Sequence, residues 1–121
     1  MEKLGVVEAQ FADRIWESAP VTSAELVRMG EEAFGWKRTT VYTVLKRLCD
    51  KGLFANDHGT VRARITREEY YAAQSRQFVA ETFDGSLPAF IAAFVGERGL
   101  TEKEAEDIRK MIAAYTETEE K

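Results

Sequence analysis

GWKRTTVYTVLKRLCDKG, residues Gly35 to Gly52, is the stretch on which the reading of this chain turns. Val41, Val44, Leu45 and Leu48 recur at spacings of three and four, which predicts a helix over Thr39 to Lys51 with one apolar side facing a core. Lys37, Arg38, Thr40, Tyr42, Thr43, Lys46 and Arg47 fall mainly on the remaining surface. Contacts to phosphates and base edges in a DNA major groove require such cations, hydroxyls and an aromatic on a short helix. A solvated amphipathic helix carries the same pattern, so this element alone leaves both readings open. Cys49 on the same helix reads as a small apolar filler.

The flanks supply context. Upstream, Val7, Phe11, Ile15 and Trp16 predict a first helix over Val7 to Ser18, which Ala19-Pro20 ends because the residue before proline is pushed out of the α region. Thr22-Ser-Ala-Glu25 has the spacing of a capping box and opens a second helix through Leu26, Val27, Met29 and Phe34, closed by Gly35. Downstream, Asn56-Asp-His-Gly59 is a turn, with His58 at its tip. Thr60 to Thr66 then alternates as a strand, with Val61, Ala63 and Ile65 on one side and Arg62 and Arg64 on the other. Three helices followed by a hairpin, with cations on the third helix and on the hairpin, is the order of a winged helix-turn-helix. Such a module serves DNA binding or protein contacts.

Beyond residue 66 the chain predicts three further helices. Thr66-Arg-Glu-Glu69 caps one over Arg67 to Phe83 with Tyr70, Tyr71, Phe78, Val79 and Phe83 as its apolar members. Leu87 to Gly96 is a second, apolar around most of its circumference, and Thr101-Glu-Lys-Glu104 caps a third carrying Ile108, Met111, Ile112 and Tyr115. A segment of about 50 residues cannot bury that much aromatic surface unaided. A two-fold partner or the chain's own first domain would supply the cover, and symmetric dimerisation is the more economical. The expected interface comprises Tyr71, Phe78, Phe83, Leu87, Phe90, Ile91, Phe94, Ile108, Met111, Ile112 and Tyr115. The expected fold is mainly α with a small β wing: a winged helix-turn-helix domain over 1–66 and a three-helix dimerisation domain over 67–121.

Composition narrows the function. The net charge is −4, but residues 36–66 hold seven cations against two carboxylates, a local +5, while 67–121 hold seven against twelve, a local −5. Phosphate neutralisation depends on the cations at the contact, so an acidic protein with one basic face can bind DNA. A single cysteine excludes an intramolecular disulfide. No apolar run approaches the ~18 residues of a membrane span, so no membrane insertion and a cytoplasmic location are expected. There is no G-x-x-x-x-G-K loop, no H-E-x-x-H and no second histidine to partner His58, which argues against an enzyme. Glu102, Glu104, Glu106 and Asp107 read as a solvated helix face, and neither a metal nor a cofactor is expected.

EAQFADRIWE (Glu8 to Glu17), the opening GW…T…T…RL…KG stretch (Gly35 to Gly52) and SRQFVAETFDGSLPAFIAAFV (Ser75 to Val95) together resemble the penicillinase repressor family of winged-helix transcriptional regulators. The resemblance extends over nearly the whole chain. It implies a homodimeric repressor that binds a palindromic double-stranded DNA operator and controls an antibiotic- or stress-response gene. Carried across, Thr40, Tyr42 and Thr43 take the base-facing positions. Lys37, Arg38, Thr39, Lys46, Arg47, Arg62 and Arg64 are then the phosphate candidates. Lys37-Arg38 stands where the family commonly has Ser-Pro, and Tyr42 replaces a frequent basic residue. Antibiotic-responsive members are cut by a membrane sensor protease between an Asn and a Phe. The matching bond here is Ala93 to Phe94, with alanine in place of the Asn, and Phe94 also reads as plain dimer core. The cysteine pairs of copper-responsive members are absent.

Overall fold

The computed structural model describes residues 3–116. Its elements run α1 (Val6–Ser18), β1 (Val21–Thr22), α2 (Ser23–Phe34), α3 (Arg38–Asp50), β2 (Phe54–Asp57), β3 (Thr60–Ala63), α4 (Arg67–Thr82), α5 (Leu87–Val95) and α6 (Glu102–Tyr115). The chain forms two compact units, residues 1–78 and 79–121, so α4 begins in the first and ends in the second.

In the first unit, α1, α2 and α3 close on one apolar core. Phe11 and Ile15 of α1, Leu26 of α2, and Val41 and Leu48 of α3 are fully buried in it. Gly30 brings α2 close to α3: a methyl built on it would lie 2.5 Å from Cγ2 of Val41. Aromatic rings fill the end of α2, where Phe34 stacks on Trp36 at 4.7 Å and Trp36 meets Phe11 edge-on at 5.2 Å. Such pairs add to plain area burial.

Three antiparallel strands in the order β1-β3-β2 make the wing. The β2–β3 turn has His58 at φ 51° and Gly59 at φ 91°, both left-handed, which is the geometry that tight two-residue hairpins require. The Asn56 side chain accepts from the Gly59 N–H at 3.0 Å. Trp16 anchors the exit of the wing, its indole N–H donating to the Ile65 carbonyl at 3.0 Å. The wing differs in detail from the sequence expectation: the strand expected over Thr60 to Thr66 stops at Ala63, and Asn56 and Asp57, expected in the turn, close β2. Val21–Thr22 pairs with Val61 and Thr60 as an added strand, and Ala63 at the strand's end is exposed although Val61 is buried.

The expected caps form at Thr66–Glu69 and Thr101–Glu104, each with the hydroxyl accepting one backbone N–H and the carboxylate accepting another. At Thr22 the hydroxyl accepts from the Glu25 N–H at 3.1 Å. The start of α4 belongs to the first core. Tyr70 is buried there and its hydroxyl accepts the Leu4 N–H at 3.1 Å, while Arg67 donates to Asp13 at 2.9 Å.

In the second unit, α5 starts at a Ser86 cap and α6 at Thr101. Phe90 packs between Phe83 and Phe94, at centroid separations of 5.6 and 6.0 Å. Neither α5 nor α6 contributes a buried residue within the single chain.

Two outcomes are expected. Gly30→Ala gains about 1 kcal/mol of helix propensity but forces apart a stiff β-branched contact at a cost of about 1–3 kcal/mol. A net loss should therefore appear in urea denaturation. Glu69 and Glu104 sit below the ordinary carboxylate value of 4.5, first because the Thr66 and Thr101 backbone N–H groups bond their charged forms. Groups with depressed folded values stabilise above the unfolded value and cease to do so as pH falls through the folded one. The urea midpoint should accordingly hold steady near neutrality and decline once pH drops through about 4.5; a midpoint flat to pH 3 would contradict this.

Candidate nucleic-acid interface

Burying Val41, Val44, Leu45 and Leu48 leaves the other side of α3 in solvent, where Thr39, Thr40, Tyr42, Thr43, Lys46 and Arg47 are all exposed. Residues that recur every three or four positions share one helix side, so the same register that builds the core presents the polar set outward. Lys37 is the N-cap residue, without a side-chain cap bond, and Arg38 is the first helical residue.

Each candidate base reader has a distinct setting. The Thr43 hydroxyl donates to the Thr39 carbonyl at 2.9 Å, which leaves its oxygen lone pairs as acceptors. The Tyr42 hydroxyl donates to the Ser23 hydroxyl at 3.4 Å, and the Arg38 guanidinium lies 5.8 Å from its ring centroid. The hydroxyl bond with Ser23, and then Arg38, hold the Tyr42 phenol below the ordinary tyrosine range. Ser23 had no sequence signal as a partner, because nineteen residues separate it from Tyr42. Its own N–H donates to the Gly59 carbonyl at 2.8 Å, so one residue touches both the wing turn and α3.

The cations divide into two groups. Lys46 pairs with Asp50 at 2.9 Å, and that bond raises its pKa. Arg47 and Lys51 both approach Glu8 of α1 at 3.5 Å. Partial burial pushes the Glu8 carboxyl upward, but the Gly5 N–H and then Lys51 and Arg47 outweigh it, leaving Glu8 below the ordinary range. Arg62 and Arg64 of the wing are exposed, as are Lys37 and Arg38. Cys49 is half-buried among core residues, and burial raises its thiol pKa, as befits an inert filler.

The expected dimer residues fall in both units. Tyr71 lies in the first unit, with its hydroxyl donating to Asp13 at 3.3 Å and Arg67 4.9 Å from its ring. In the second unit Leu87, Ile91, Phe94, Met111, Ile112 and Tyr115 are exposed, Phe94 by 57% and Ile112 by 61%. Phe83, Phe90 and Ile108 are half-buried, and Phe90, Phe94, Leu100 and Ile108 line an open groove of about 400 Å³ between α5 and α6. Phe78, at the end of the first unit, is exposed by 49%. The Ala93–Phe94 bond lies inside α5. No single helix among the described residues is long and apolar enough to cross a membrane.

A penicillinase repressor from Bacillus licheniformis is 21% identical over 113 residues, covering 89% of this chain and 88% of that one. The family model described as penicillinase repressor matches residues 4–114. Carrying a winged helix-turn-helix and matching that model over nearly its whole length, the chain belongs to the penicillinase repressor family, whose members are transcriptional regulators and not enzymes.

Proposed function

We propose that two copies of this chain bind a palindromic DNA operator, each placing α3 in the major groove and its wing against the backbone, and so repress an adjacent promoter. The observation that carries this reading is the bare outer side of α3, where Thr39, Tyr42 and Thr43 stand among Lys37, Arg38, Lys46 and Arg47 while the inner side is locked in the core. Thr40, Tyr42 and Thr43 read bases; Lys37, Arg38, Thr39, Lys46, Arg47, Arg62 and Arg64 meet phosphates. Tyr42, held by Ser23 and flanked by Arg38, gives the reading edge its own chemistry.

Functionally, residues 1–66 are the reading domain and 67–121 the dimerising one. Exposed apolar side chains on α5 and α6, with no buried residue on either helix, support a self-complementary interface there. A two-fold dimer sets two reading heads on half-sites about one helical turn apart. The name of the Bacillus licheniformis relative supports an antibiotic-response gene as the target. Release by a membrane sensor protease at Ala93–Phe94 is disfavoured because alanine stands in place of the Asn.

Binding is tested with a duplex enriched from a random pool and with an unselected duplex, each titrated at several salt concentrations. Arg47→Ala should weaken both about equally, whereas Thr43→Ala should lower the ratio between them. An unchanged ratio in the Thr43 variant would count against base reading, and a wild-type affinity indifferent to salt would favour a protein-binding module instead. Ile112→Glu, placed on an exposed position, should leave the circular-dichroism spectrum intact but shift the mass by light scattering from two chains to one. A dimer of undiminished mass would argue against this interface.

A further inference from the structure

Glu8 of α1 stands against the reading helix with two cations on one carboxylate. Arg47 Nη1 donates to its Oε2 and Lys51 Nζ to its Oε1, both at 3.5 Å, and the Gly5 N–H donates to Oε1 at 3.3 Å. The two ends of the arginine pair differ in freedom. The Glu8 side chain is only 18% exposed and tied to its own helix start, while that of Arg47 is 57% exposed. A fixed carboxylate thus faces a guanidinium that is free to turn outward.

Resting on the DNA-binding reading above, we propose that Glu8 sets the overall DNA affinity by competing with phosphate for Arg47. In the free protein Arg47 is held by Glu8. On DNA it exchanges a carboxylate for a phosphate, and both partners are anions that accept its N–H donors with matching geometry. The gain from the phosphate contact is reduced by the loss of the pair with Glu8. Because phosphates carry no sequence information, this reduction falls on every duplex alike. Glu8 is therefore a positioning residue that limits affinity and leaves sequence preference to α3. Lys51, with only 16% of its side chain exposed, stays with Glu8 and fastens α3 to α1.

The test is a double-mutant cycle read by salt-dependent titration. Glu8→Gln keeps an oxygen for the Gly5 N–H and removes the charge. It should tighten binding to enriched and random duplexes alike, by about threefold, the scale of an exposed ion pair, with the salt slope close to that of the wild type because Arg47 meets the same phosphate in both complexes. Combined with Arg47→Ala, the gain should vanish. A gain that persists without Arg47 comes from general charge or from Lys51 and overturns the proposal, as does no gain at all. Glu8→Asp retains the charge but draws it back by one methylene. It should give a smaller gain of the same kind, so the idea remains testable even where the glutamine variant folds poorly; affinity at or below wild type in both variants overturns it. A wild-type protein without salt-dependent affinity for either duplex would overturn the DNA-binding reading itself, and is told apart because no variant is then needed to see it.

Discussion

The one-sided burial of α3 is the constraint on which the rest of the structure depends. Val41, Val44, Leu45 and Leu48 must meet α1 and α2 closely enough to fix the helix, or its outer side chains have no defined position. Close approach at Gly30, the ring cluster of Phe11, Phe34 and Trp36, and the Glu8–Lys51 pair all act on that one docking. Packed interiors resist even a methylene of change, so a helix seated this way holds its register against the strain of contact with a large partner. The wing repeats the arrangement, with Val61 locked in the core and Arg62 next to it in solvent.

Much of this was legible in the sequence because it rests on local rules. Helix registers follow from three-and-four spacing, and the Thr66 and Thr101 caps follow from hydroxyl–carboxylate pairs three residues apart. The turn at His58-Gly59 follows from residue types that tolerate positive φ. Among the described residues the six helices and the hairpin accordingly appear close to where the pattern sets them. The rest depends on contacts distant in sequence. β1 is two residues long and exists only by pairing with β3, so no periodicity could announce it. Tyr70 shares its helix with residues of the second unit, and its burial in the first goes with contacts distant in sequence, the Trp16 ring at 5.7 Å and the Leu4 N–H 66 positions away.

The same division holds at the candidate site. The identity of the polar residues on α3 was readable from spacing alone, but their partners were not. Ser23 beneath Tyr42 and Glu8 beside Arg47 lie 19 and 39 residues away, and each joins α3 to a different helix. A count of cations put the segment at +5 without showing that Lys46, Arg47 and Lys51 already have carboxylates beside them. Charge at an interface is therefore a property of pairs as well as of composition, and an arginine with a prior anion is a weaker attractor than one without.

The strand order of the wing has a consequence for colloidal behaviour. β3 lies in the middle, so the sheet's two borders are β1, of two residues, and β2, of four, the latter ending in Asn56 and Asp57. An exposed sheet border is a template for strand addition by other chains, and proteins blunt it with short strands and charged or turn-forming residues. Here the best strand is hidden between two poor templates. Copies crowded together at high local concentration are thereby guarded against edge-to-edge aggregation through the wing, even though its outer residues remain open to solvent.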